Sequence, residues 1–147
     1  MTLPTAKEID PYDGPDGQVA CKNFLGKSLA EAEALFRENS LYYQEDLMWM
    51  GPVAFRFYVQ AAIHYIRSEA ATNDSAIASC MADILEFRLE HGASELAPIA
   101  NQLASLCGYF LEHYERFDLT SESFGNIRAR FQALQKTFLS YPNCEEI

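Results

Sequence analysis

The chain has 147 residues, of which 49% are apolar and 22% charged, a globular composition rather than a disordered one. Acidic residues outnumber basic ones 21 to 11, for a net charge of −10. That balance argues against a general nucleic-acid binder and against docking on anionic lipid, since both need a basic face. The opening Met1-Thr2-Leu3-Pro4-Thr5 has neither a basic nor an apolar leader region, and no run of about 18 apolar residues occurs. The four cysteines, Cys21, Cys80, Cys107 and Cys144, form no Cys-x-x-Cys pair. The expectation is a reduced, cytoplasmic protein without a membrane span; two disulfide bridges stay open as an alternative.

Residues 1–24 read as an extended arm. Pro4, Pro11, Pro15, Gly14 and Gly17 interrupt regular structure, and Asp10, Asp13 and Asp16 suit turns. A calcium loop over residues 10–17 is the sharper alternative. Its aspartates are spaced by three, however, two prolines intervene, and the twelfth position from Asp10 is Cys21 rather than glutamate.

From Ser28 onward the periodicity is helical. Ser28-Leu29-Ala30-Glu31 is a capping box; Leu29, Ala32, Leu35 and Phe36 share one face, and the helix ends near Asn39. A short second segment covers Leu41 to Met50. Gly51-Pro52 opens a third helix, with proline in the first turn, where its missing amide is harmless. Phe55, Tyr58, Val59, Ala62, Ile63 and Ile66 line that helix to near Glu69.

Thr72-Asn73-Asp74-Ser75 caps a fourth helix, striped by Ile77, Met81, Ile84, Leu85 and Arg88 and terminated by Gly92 as a left-handed residue. A fifth begins at Ser94 or, with Pro98 in its first turn, near Ala97, and is lined by Ile99, Leu103, Leu106, Cys107 and Phe110. A sixth runs from about Thr120 through Phe124, Ile127, Phe131, Leu134 and Phe138 to Tyr141-Pro142. The expected fold is all-α, a five- or six-helix bundle, with the arm at 1–24 and a single helical domain at 25–147.

Signatures of catalysis are missing. There is no Gly-rich phosphate loop and no Gly-x-Ser-x-Gly. The residues three before His64, His91 and His113 are Ala61, Arg88 and Phe110, so the Glu-x-x-His pattern of di-iron bundles is absent. His113-Tyr114-Glu115 lacks the Pro-Cys-x-x-Cys that a zinc deaminase carries. His91 beside Gly92 suits a helix C-terminus, and His64 suits packing. Cys80 and Cys107 fall on apolar stripes and are expected buried and inert, Cys21 and Cys144 exposed. Arg128, Arg130 and Lys136 form the basic cluster of note, which ion pairing on a bundle surface explains. No cofactor and no metal is expected.

Residues 42–58 are the densest segment. They hold the only tryptophan, Trp49, together with Tyr42, Tyr43, Tyr58 and the acidic pair Glu45-Asp46. Such a stretch packs a corner between helices, with Glu45 paired to Arg56 or Asp46 to a basic group. It equally suits an aromatic hot spot with an acidic rim. Adjacent carboxylates diverge by about 100° on a helix, so they do not form a general acid/base pair.

The block from Phe24 to Ala32, leading into Leu41-Tyr42-Tyr43-Gln44-Glu45-Asp46-Leu47-Met48-Trp49-Met50-Gly51-Pro52, resembles a family of small uncharacterised bacterial proteins over residues 24–67. In size and acidity such proteins are similar to immunity proteins, which neutralise toxins made beside them. The family itself carries no assigned activity; the excess of negative charge and the missing catalytic motifs lead to the expectation of a non-enzymatic acidic protein that sequesters a basic protein partner, such as a toxin domain. Tyr42, Tyr43, Glu45, Asp46 and Trp49 are the first partner-binding candidates, Glu86 and Glu90 the second. The alternative is a small-ligand-binding or enzymatic bundle with a polar interior pocket lined by His64, Tyr58, Tyr65 and His113. A structural homo-oligomer is the third reading.

Overall fold

A computed structural model describes residues 2–119 and 126–142. Every regular element among the described residues is helical, and the fold is an all-α helical bundle. The chain divides into two compact units, Met1–Ala71 and Thr72–Ile147. The boundary expected between residues 24 and 25 therefore falls inside the first unit.

The first unit holds α1 (Ala6–Ile9), α2 (Pro15–Phe24), α3 (Leu29–Tyr43), α4 (Glu45–Trp49) and α5 (Pro52–Arg67), followed by a 3-10 turn at Glu69–Ala71. Residues 1–24 are thus not an extended arm. Thr5 and Glu8 form a capping box that starts α1, and Pro15 occupies the first turn of α2 rather than breaking it. Ile9, Ala20 and Phe24 are fully buried, so this segment supplies core. Asp10 accepts the backbone amide of Gly14 at 3.1 Å, and a Cβ on Gly17 would stand 2.0 Å from Asp10 Oδ1. The aspartate sequence thus makes a tight helix entry. No group of three or more His, Cys, Asp or Glu able to hold a metal ion occurs among the described residues.

Phe24 is the hub of this core, with ring centroids 5.8 Å from Phe36, 5.1 Å from Tyr58 and 6.3 Å from Tyr43. The Tyr58 hydroxyl shares its proton between the carbonyl oxygens of Phe24 (2.8 Å) and Lys27 (2.9 Å), tying α5 to the turn at Gly26, whose φ is +80°. Burying the fully enclosed rings of Phe24, Phe36 and Tyr58 contributes roughly 2–3 kcal/mol each. The Ser28–Glu31 capping box forms with both bonds in place, at 2.9 and 3.1 Å. It holds the exposed Glu31 carboxyl below its usual range, first through the Ser28 backbone amide.

The second unit holds α6 (Ser75–Gly92), a 3-10 stretch at Ala93–Ile99, α7 (Ala100–Glu112), a 3-10 turn at Tyr114–Phe117 and α8 (Ile127–Leu139). Asp74 caps α6 by accepting the Ile77 amide at 3.1 Å, as the turn sequence predicts. Gly92 does not end it in the left-handed region: its φ is −174°, and the chain continues as 3-10 helix through Pro98. α7 accordingly starts at Ala100, later than expected. His91 donates Nδ1–H to the Phe87 carbonyl at 2.9 Å and stacks on the Phe87 ring. Phe110 stacks on Phe131 at 4.7 Å and meets Phe117 edge-on at 4.9 Å. The expected helix start near Thr120, Phe124 and Cys144 all lie outside the described residues.

Candidate protein-docking face

The helical run that carries the aromatic candidates begins at a break. Asn39 has non-helical dihedrals (φ −159°, ψ 81°), and its side-chain oxygen accepts the Tyr42 amide at 3.2 Å. It therefore caps a restarted helix. Gln44 keeps helical dihedrals (φ −63°, ψ −29°), so the run passes into α4 and stops at Met50, before Gly51-Pro52. Ser40, Gln44, Asp46, Leu47 and Met50 turn inward; Leu41, Tyr42, Glu45 and Trp49 turn outward. Leu41 is 59% exposed, Tyr42 52% and Trp49 38%. The result is a stripe of apolar and aromatic side chains around one carboxylate, with Val53 exposed at the start of α5.

The stripe is anchored from below. Tyr43 is half-buried, its ring edge-on to Phe24 at 90°, and Tyr42 stands edge-on to Tyr43 at 4.9 Å. Burial, with Glu38, Tyr42 and Asp46 nearby, holds the Tyr43 phenol above its usual range. Tyr42 is thus presented by two further rings rather than by a loose surface rotamer.

The acidic pair splits. Glu45 is exposed and takes part in none of the ion pairs among the described residues, so the pairing expected with Arg56 is replaced by solvent. Asp46 is only 5% exposed and accepts the Asn23 side-chain amide at 2.8 Å. Burial pushes its carboxyl up to about 6, opposed by the Asn23 hydrogen bond and supported by Glu45 and Asp16. Asp46 is therefore a buried carboxylate that joins α2 to α4, and it leaves the list of partner contacts. The physical reason is the roughly 100° between adjacent helical residues, which puts one of the pair on each side.

Of the second-choice acids, Glu86 is engaged: Arg130 binds it through Nε (3.0 Å) and Nη2 (2.6 Å) and also reaches Asp83 at 2.6 Å. That clamp joins α6 to α8 and raises the Arg130 pKa, chiefly through Glu86. Glu90 is exposed. Charge alone does not select a face. Residues 1–71 carry ten acids against six bases, and residues 72–147 eleven against five. Among the described residues most of the large exposed hydrophobic side chains lie in the first unit (Leu3, Tyr12, Val19, Leu25, Leu41, Tyr42, Trp49 and Val53, against Leu139 in the second), and Leu41, Tyr42 and Trp49 flank the exposed Glu45 on one helical run.

The polar-pocket residues do not converge within the first unit. Tyr58 is fully buried with its hydroxyl already bonded, Tyr65 is buried, and the His64 side chain is 75% exposed, 3.6 Å from Glu33. His113 belongs to the second unit, where it is exposed beside an open groove with Glu112, Glu115, Arg116 and Arg128. There Arg128 lies 4.2 Å over the Tyr114 ring, and Arg116 bonds the Tyr109 hydroxyl. Burial holds the Cys107 thiol up at about 12, an unreactive state. Cys80, expected buried, is partly exposed. No helix among the described residues is long and apolar enough to cross a membrane.

No family model matches the chain, and neither a curated protein nor a solved structure shows significant similarity to it. Asn39, Leu41, Val53 and Asn23 were not among the sequence candidates. The four-residue spacing of Leu41, Glu45 and Trp49 is the signal that marks the outward stripe.

Proposed function

We propose that the chain is a non-enzymatic acidic binding protein that sequesters a basic protein partner, in the manner of a cytoplasmic immunity protein occluding a bacterial toxin domain. The observation that carries this reading is the outward stripe of Leu41, Tyr42, Glu45 and Trp49 on a capped, ring-supported helix. Exposed aromatics on a fixed backbone are what interface hot spots are made of, because they bury large area at small entropic cost. A carboxylate among them favours a cationic counterpart, and a net charge of −10 steers it in from a distance. Occlusion then works by covering the lysines and arginines with which a toxin would hold its own substrate.

The test is binding of the purified chain to the basic product of the adjacent gene across about 0.05 to 0.5 M salt. Affinity should fall with salt. Glu45→Lys should lower it about tenfold or more while far-ultraviolet circular dichroism stays unchanged. Salt-indifferent binding, or full binding by Glu45→Lys, would refute the reading.

A further inference from the structure

We infer that the contact element of the partner carries an arginine, seated with its guanidinium on Glu45 and its plane against the ring of Tyr42. The inference rests on the docking reading above and names the chemistry of its central contact. Tyr42 and Glu45 are three residues apart on a run whose intervening Gln44 keeps helical dihedrals, so both stand on the outer side, one turn apart. Tyr42 is held edge-on at 81° by Tyr43, which is itself edge-on to the buried Phe24. The contact with Tyr43 fixes the Tyr42 ring, and more than half of the residue remains open to solvent.

Glu45 has no ion-pair partner within the described residues. A carboxylate with a fixed aromatic face one turn away matches a planar cation. The guanidinium fork can donate two parallel hydrogen bonds to the carboxylate while its face covers the ring. An ammonium can satisfy the charge but has no plane to stack. The chain uses the same pairing internally, where Arg128 lies 4.2 Å over Tyr114. Leu41 and Trp49, exposed on either side, supply the apolar rim that excludes water from such a contact.

Trp49 is the only tryptophan and lies one turn beyond Glu45, so its emission reports on this face alone. The experiment titrates the full chain with two alanine-based helical peptides that differ only in carrying arginine or lysine at the same positions. The arginine peptide should shift Trp49 emission saturably and bind about three- to tenfold more tightly than the lysine peptide. Tyr42→Ala should abolish that preference, and Glu45→Gln should weaken the arginine peptide by about fivefold or more. Both sites are exposed, and an unchanged melting curve verifies that the variants fold.

Equal binding of the two peptides, or a preference that survives Tyr42→Ala, would overturn the arginine assignment. Failure of the broader docking reading is read separately, from a basic partner protein whose binding ignores Glu45→Lys.

Discussion

Asn23 donates its side-chain amide to the buried carboxylate of Asp46 at 2.8 Å, and this contact joins the second helix to the short fourth one. The partner is neutral and the neighbours Glu45 and Asp16 are acidic, so nothing offsets the cost of burying the charge except that one hydrogen bond.

A pH dependence follows from this carboxyl. Its folded-state pKa is near 6, against an ordinary value of 3.8. The folded state therefore binds the proton more tightly than the unfolded state. The stabilisation from protonated Asp46 is complete below about pH 4 and is lost as pH rises through about 6. Asp46→Asn keeps an acceptor for Asn23 and removes the charge. It should raise stability at pH 8 by on the order of 1–3 kcal/mol and add little at pH 4. Urea unfolding of both proteins between these pH values measures the difference. A constant offset across the range would contradict this account.

Tyr58→Phe deletes a hydroxyl lodged between the carbonyl oxygens of Phe24 and Lys27 while keeping the ring in the core. Two acceptors lose their donor beneath a fully buried ring. The expected loss is about 1–3 kcal/mol in denaturant unfolding, with no change in helix content.

Gly17→Ala should destabilise the chain, although alanine normally improves a helix interior by about 1 kcal/mol. The added methyl would meet Asp10 Oδ1 at 2.0 Å and its Cγ at 2.3 Å. A cost of about 1–3 kcal/mol is expected from the forced displacement of Asp10 and its bond to Gly14. Combining it with Asp10→Ala should cost less than the sum of the two single changes, since the second removes what the first collides with. A thermal-melt double-mutant cycle reads this coupling.

Arg130→Ala removes a guanidinium shared by Asp83 and Glu86. The residue is partly exposed, so screening limits the effect to about 1 kcal/mol, shrinking further in about 1 M salt. Arg130→Lys should recover little of it, because an ammonium cannot reproduce the fork onto Glu86.

Much of the helical layout was legible from local chemistry. Ser28 and Glu31, Asp74, and Pro52 after Gly51 announce helix starts because capping depends on a few neighbouring atoms. The same chemistry was present at Thr5, Glu8 and Pro15, but there it lay among prolines and glycines that also suit turns. Burial of Ile9, Ala20 and Phe24 decides between the two, and burial is a tertiary property. Gly92 illustrates the converse: a residue free to adopt the left-handed region did not, because the chain continued into a 3-10 stretch. At the candidate site the divergence of Glu45 and Asp46 could be read from helical geometry. Which of them faces inward could not, since that depends on Asn23, some twenty residues earlier.

The joint beneath Trp49 is stitched to the beginning of the chain. Gly51 donates its amide to the Ile9 carbonyl at 3.2 Å, and its α-carbon lies so close to Glu8 and Pro11 that a side chain has no room. Shortening the polypeptide by its first dozen residues would consequently not shave off an ornament. It would pull the floorboard from under the bend that aims the indole.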